Sequence, residues 1–250
     1  TKEIHALQGP RPNLAIVLVG QREDSQLYVK LKQKQAKTVG IDTHLYQCNQ
    51  NITETELLEI INYLNNDNTI DAILVQLPLP SQINTHHIIE ALKPAKDIDG
   101  FHSYNLQRLT TTAKNKIIPP VYGAILEMLN SINYDLHNKQ ICLIANADIF
   151  EDNLAELLTS LGAKVNLTKI NDPQLSDKTK TADVLITAVG QAGYITGEMI
   201  KNQAIIIDIG ITKINNHIKG DVDFDSVKEK VSYITPVPGG VGPLTIAMAF

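Results

Sequence analysis

The sequence predicts an α/β fold of two domains, the first a parallel sheet with helical crossovers. Three observations lead there. Apolar runs of strand length recur along the chain and alternate with helix-length segments. The alternation breaks once, at Pro119-Pro120, and then resumes. The 250 residues suit either one large α/β domain or two of about 120 residues, and a helix after the break is a candidate to join two.

The elements follow in order. Residues 13–19 (NLAIVLV) form an apolar run closed by Gly20, the pattern of a buried strand. A helix follows over about 25–39, with Ser25 as N-cap and Gly40 as its stop. Residues 43–48 are a second strand. Thr53 and Glu56 make a capping box before a helix whose inner face is Leu57, Ile60, Ile61 and Leu64. Residues 70–77 (IDAILVQL) are a strand ended by Pro78, and 85–92 a helix that stops before Pro94. Strand, helix, strand, helix, strand and helix make a parallel sheet with right-handed crossovers.

After the two prolines, 122–129 reads as a helix joining the domains. A second series then begins: strand 140–145, helix 153–161 ended by Gly162, and strands 164–168, 183–189 and 204–209. Residues 211–223 read as a hairpin turning at Asn215-Asn216. Residues 235–245 (TPVPGGVGPLT) are too rich in Gly and Pro for regular structure. No internal repeat or low-complexity tract is visible.

Composition narrows the function classes. With 43% hydrophobic and 20% charged residues the chain is neither disordered nor fibrous. A net charge of −5 gives no reason to expect nucleic acid. Cys48 and Cys142 lie far apart, which excludes a disulfide scaffold and a Cys-rich zinc site and suits a reducing cytosol. No apolar run approaches the ~20 residues of a membrane span, and no signal peptide is visible. The abrupt start at Thr1 and the end at Phe250 suggest a missing segment at each end.

Four constellations have chemical potential. Tyr28 and Lys32 share one helix face, where a phenol and an ammonium orient a carbonyl and move a proton; such i,i+4 pairs are also common as plain surface pairs. Gln76 stands at the C-terminal end of a buried strand, where ligands sit in parallel sheets, or it bonds nearby backbone. Asp97 and Asp99 flank Ile98 and accept from a donor edge, or form an Asx turn before Gly100. Residues 236–243 hold three glycines and three prolines, a bent backbone that lets a flat ligand approach.

Together these stretches resemble the bifunctional methylenetetrahydrofolate dehydrogenase/cyclohydrolase family, over nearly the whole chain. The carrying motifs are Ser25-Gln26-Leu27-Tyr28-Val29 with Lys32, Val75-Gln76-Leu77-Pro78-Leu79-Pro80, Lys96-Asp97-Ile98-Asp99-Gly100-Phe101, and Pro236-Val237-Pro238-Gly239-Gly240-Val241-Gly242-Pro243. Thr187-Ala188-Val189-Gly190, Ile207-Asp208-Ile209-Gly210-Ile211 and Gly220-Asp221-Val222-Asp223-Phe224 fit more weakly.

The resemblance implies a folate-binding domain (1–116 with 233–250), a Rossmann-like dinucleotide domain (117–232), and a cleft between them. It implies oxidation of methylenetetrahydrofolate by NADP and hydrolysis of the methenyl product to formyltetrahydrofolate. Lys32 would be the acid/base group, Tyr28 would meet the pterin, Gln76 would hold Lys32 and Asp99 would grip the pterin. Val75, Leu77 and Pro78 would line the folate, with Gly239, Gly240 and Pro243 closing over it. The cofactor would meet Ala145, Asn146, Ala147, Lys169, Val189, Gly190, Asp208, Gly210 and Ile211. A cytoplasmic homodimer without metal, membrane or nucleic acid is expected.

One loop departs from the resemblance. The family's Gly-x-Ser-x-x-x-Gly-x-Pro turn is here Ala145-Asn146-Ala147-Asp148-Ile149-Phe150-Glu151-Asp152-Asn153. Three acidic residues stand where phosphate should meet a helix N-terminus. The turn before the linking helix also differs, as Ile118-Pro119-Pro120-Val121, and Lys169-Ile170 replace a usual His-Ser pair. Leu244 and Gln107 are milder departures. An alternative follows: a folate-binding paralogue that has lost the dinucleotide, retaining either the hydrolase activity or a non-catalytic role.

Overall fold

Strand β1 (Asn13–Val19) is the centre of the first sheet, and Leu14 through Val19 are all buried. In the computed structural model, which describes residues 10–112, 116–146, 148–215 and 217–250, with the Asp24 side chain excepted, β1 is flanked by β2 (Asp42–Cys48) and β3 (Ala72–Val75). The order is β2-β1-β3, all parallel, with Ile16 opposite both Leu45 and Leu74. Alternation along β1 feeds two cores. Ala15, Val17 and Val19 pack with Leu57, Ile61 and Leu64 of helix α2 (Glu54–Asn66). Leu14, Ile16 and Leu18 pack with Val29 of helix α1 (Glu23–Val39). Burial on both faces is why β1 reads as an unbroken apolar run.

The helix ends are mostly as the sequence indicates. Gly40 closes α1 in the left-handed region at φ 91°, its N–H turned to the Ala36 and Lys37 carbonyls. The Thr53 hydroxyl accepts from Glu56 N and the Glu56 carboxylate accepts from Thr53 N, the full capping box. Ser25 is a correction: α1 begins two residues earlier, Arg22 holds the cap position, and Ser25 is buried inside the first turn. Two short helices complete this unit, α3 (Thr85–Glu90) and α4 (Ser103–Leu106).

The second sheet has five parallel strands in the order β10-β7-β6-β4-β5: Tyr233–Ile234, Ile205–Asp208, Val184–Ala188, Gln140–Ala145 and Lys164–Thr168. Helix α5 (Pro120–Ser131) precedes it, and α6 (Asp148–Ser160) and α7 (Leu175–Thr181) make crossovers. Helix α6 starts five residues before the expected 153, because Asp148 and Glu151 suit the positive end of its dipole. Helix α7 escaped the reading because its sequence (LSDKTKT) buries only Leu175 and Thr179. The hairpin forms as β8 (Thr212–Ile214) against β9 (His217–Lys219), with Asn215 at φ 47°; Asn216 lies outside the described residues. A short helix, α8 (Phe224–Val227), follows the hairpin.

Helix α9 (Val241–Met248) corrects the expectation of an irregular 235–245: Pro243 sits in its first turn, where a missing N–H costs nothing. The chain divides into two units, the described residues up to Pro120 with Ile246–Phe250, and Val121–Thr245. The returning segment is therefore shorter than 233–250, since Tyr233 and Ile234 pair with Ile205 and Ile206 of β7.

Candidate active site

In the first unit, α1 carries Tyr28 and Lys32 one turn apart, so both project from one face. Lys32 is 8% exposed, unusual for a lysine. Its ammonium donates to Gln76 Oε1 at 3.3 Å and lies 3.9 Å from Asp99 Oδ1. Gln76 Nε2 donates to the Leu77 carbonyl at 2.8 Å, which fixes the amide with its oxygen toward Lys32. Gln76 reaches this place because its backbone N–H still bonds Val17 O beside β1, just past the end of β3. Val75 is buried in the adjoining core, Leu77 is half-buried against it and Pro78 is exposed. Among the described residues, Lys32 has one long hydrogen bond and one loose ion pair. An ammonium has three donors, so capacity remains for a ligand.

The two carboxylates of the Asp97-Ile98-Asp99 loop separate in role. Asp97 is 2% exposed and accepts from Gly100 N at 3.0 Å, His102 N at 2.8 Å and Asn105 Nδ2 at 3.2 Å. It forms the Asx turn, and burial pushes its carboxyl upward. Gly100 takes φ 72°, and a Cβ there would meet Pro119 N at 3.1 Å. Backbone bonds from Ile73 N to Lys96 O and from Ile98 N to Ile73 O clip the loop to β3. That clip delivers Asp99 to Lys32.

The second unit places the other predicted residues along one edge, since parallel strands share their C-terminal ends. Ala145 closes β4, and Asn146 Nδ2 donates across to Val189 O at 2.7 Å; Ala147 lies outside the described residues. Val189 and Gly190 follow β6, Gly190 at φ 71° with open space where a Cβ would stand. The chain leaves β4 for β5 on one side and β6 on the other, which makes this a topological switch point.

Asp208, at the end of β7, turns inward. Its carboxylate accepts from Gly210 N and Asp221 N, both at 3.0 Å, and Val222 N at 2.9 Å. Burial pushes it up to about 6. Asp221, fully buried, accepts from Thr187 Oγ1 at 2.9 Å, Val189 N at 2.7 Å and Gln191 N at 2.9 Å. A Cβ on Gly210 would collide with the Asp221 carboxylate, so that glycine is required by packing. Ile211 follows, half-buried. This pair of carboxylates shapes the loops after β6 and β7. Asp221 was missed as a site residue, although Gly220-Asp221-Val222-Asp223 was visible as a motif.

Lys169, just past β5, differs from Lys32. Its ammonium pairs with Asp148 Oδ1 at 2.9 Å and closely with Glu151 Oε1. Glu151 first and Asp148 second lift the Lys169 ammonium above the usual lysine range. The first turn of α6 is also held from inside. Tyr122, fully buried just after Pro119-Pro120, donates its hydroxyl to Phe150 O at 2.7 Å and its ring lies 5.6 Å from the Phe150 ring. Tyr122 therefore packs within the second unit against the loop that departs from the resemblance, and it is the residue the sequence reading missed there.

Gly239, Gly240 and Pro243 belong to the second unit. Gly239 takes φ 106° with open space beside it, while a Cβ on Gly240 would lie 2.5 Å from Pro236 O. Glycine is demanded by conformation at the first and by backbone packing at the second.

The comparisons with known proteins bear out the family resemblance. Residues 1–99 match the tetrahydrofolate dehydrogenase/cyclohydrolase catalytic domain and residues 119–250 the NAD(P)-binding domain of the same name. The chain is 42% identical to the bifunctional protein FolD of Nitratiruptor sp. over 99% of its own length and 88% of the relative's. It is 40% identical to that of Bacillus subtilis over the same shares. The FolD crystal structure from Campylobacter jejuni superposes with a TM-score of 0.90 at 39% identity, covering 99% of this chain and 88% of that one. The Trypanosoma brucei enzyme, solved with NADP and an inhibitor, gives 0.91 at 33% identity with the same coverage.

Proposed function

The chain belongs to the tetrahydrofolate dehydrogenase/cyclohydrolase family, and from that premise we propose how its residues work. It is a bifunctional enzyme that oxidises 5,10-methylenetetrahydrofolate with NADP and hydrolyses the methenyl product to 10-formyltetrahydrofolate. The observation that supports the assignment of the chemistry to Lys32 is its burial beside Gln76 and Asp99, with donor capacity left over.

The residues present fit the dinucleotide at the switch point. Gly190 leaves open space beside the β6 end, Asn146 ties the β4 end to Val189, and Lys169 supplies a cation past β5, where a ribose 2′-phosphate belongs in this topology. Asn146, Val189, Gly190 and Lys169 would hold NADP. NADP supplies the hydride acceptor for the oxidation. Asp208, Gly210 and Ile211 shape the neighbouring loop.

In the hydrolysis, water adds to the methenyl carbon, a proton leaves that water, and the bond from carbon to N5 breaks as N5 takes a proton. Lys32 moves those protons. Gln76, fixed by Leu77 O, holds the ammonium in place. Asp99 accepts from the donor edge of the pterin, and Tyr28 meets the ring from the same helix face as Lys32. Val75, Leu77 and Pro78 line the folate.

The proposal includes a cytoplasmic homodimer; light scattering should give about twice the 27.5 kDa chain mass. The experiment for the activity is a paired assay. Methenyl formation with NADP reads the first step, and methenyl ring opening without NADP reads the second. Ring opening that survives undiminished in Lys32→Met would refute the role given to Lys32.

A further inference from the structure

Resting on that reading, we propose that Glu151 is an internal competitor for Lys169, which a phosphate of the incoming dinucleotide must displace. Glu151 lies in the first turn of α6, directly after β4, where this topology receives phosphate. Its residue is 3% exposed, so its carboxylate is held inside the loop. One oxygen takes the Lys169 ammonium. The other, Oε2, is buried with no hydrogen-bond partner among the described residues.

That orphaned oxygen separates this pair from an ordinary structural ion pair. A buried carboxylate with one oxygen unbonded carries a desolvation cost its single partner does not fully offset, and neutralising it in Glu151→Gln relieves that cost. Asp148 adds a second carboxylate on the same ammonium, so two negative charges face one positive. The cluster presents a net −1 to an approaching phosphate. The 44% exposed Lys169 side chain remains accessible from solvent, whereas Tyr122 anchors the Phe150 carbonyl and keeps the turn from retreating as a whole. Relief must come from the side chains: Lys169 leaves the carboxylates for the phosphate.

The consequence is specificity. Lys169 stands where the 2′-phosphate belongs, so Glu151 weakens NADP more than it weakens NAD. Removing one charge while keeping the shape should show this.

The test is equilibrium binding of NADP and of NAD, by calorimetry, to the full chain and to Glu151→Gln, without folate. Glu151→Gln should bind NADP about tenfold tighter and change NAD much less. Adding Lys169→Met should cancel the gain. Asp148→Asn, on an exposed residue that cannot endanger the fold, should tighten NADP by about two- to threefold. If the parent chain binds NADP and neither charge-removing variant binds it better, the competitor role is overturned and the proposed function stands. If parent and variants alike bind neither dinucleotide, the competitor role and the cofactor half of the proposed function fall together.

Discussion

Lys32 and Lys169 both stand beside the C-terminal ends of parallel strands, and their surroundings are opposite. Lys32 is buried and loosely held, with Gln76 Oε1 at 3.3 Å and Asp99 Oδ1 at 3.9 Å. Lys169 is half-buried and tightly held, by Asp148 at 2.9 Å and by Glu151 more closely still. A reacting lysine needs donors left for its substrate, and Lys32 has them. A lysine already paired with two carboxylates meets a ligand anion in competition with them, and under the proposal above that competition sets the affinity. On the proposed function, Lys32 meets its ligand with donor capacity left over, and Lys169 meets its ligand with its own anions in place.

The sharpest way to break this contrast is to delete each ammonium. Lys32→Met should lower methenyl ring opening by roughly 10²–10⁴-fold, the usual worth of a positioned acid/base group, with folate binding nearly retained. Lys169→Met should leave ring opening unchanged. Equal losses in the two variants, read in the same assay, would erase the distinction.

The paired carboxylates near Lys32 sharpen it further. Asp97→Ala strips three donors of their acceptor inside the fold and should cost about 2–4 kcal/mol in denaturant unfolding. Asp99→Asn should leave stability nearly intact and lower turnover instead. A stability loss at Asp99 equal to that at Asp97 would show that both are structural.

The smallest effect concerns pH. The folded Asp208 carboxyl titrates at about 6, above its unfolded value, so the native state holds that proton more tightly. Its contribution is full below the unfolded pKa and is lost as pH rises toward and through about 6. The loss is on the order of 3 kcal/mol at most. Denaturant titrations at pH 4 and pH 7 should therefore show the stability advantage of the parent over Asp208→Asn shrinking as pH rises. A gap that widens would mean the three backbone donors outweigh desolvation.

Much of this was legible in the sequence because the signals were local. The apolar run 13–19, the Thr53–Glu56 box and the Gly40 stop each carry their own physics within a few residues. Lys32, Gln76 and Asp99 were legible as motifs, each beside a strand or on a helix face. What stayed hidden depends on long-range partners. Ser25 has the chemistry of a cap but is buried inside the first turn of α1. Asp208 looks like a ligand contact at a strand end, yet its acceptors are filled by backbone 13 and 14 residues onward. Tyr122 and Phe150 are 28 residues apart, and no periodicity connects them. The acidic loop was visible, but that Glu151 lies buried on Lys169 was not.

The most direct measurement follows the methenyl product from methylenetetrahydrofolate as NADP is raised, with the folded parent chain. The account predicts NADP-dependent formation of the methenyl product and its conversion to 10-formyltetrahydrofolate, with the second step lost in Lys32→Met. No NADP reduction at any concentration, by a folded chain that still binds folate and opens the methenyl ring, would contradict it.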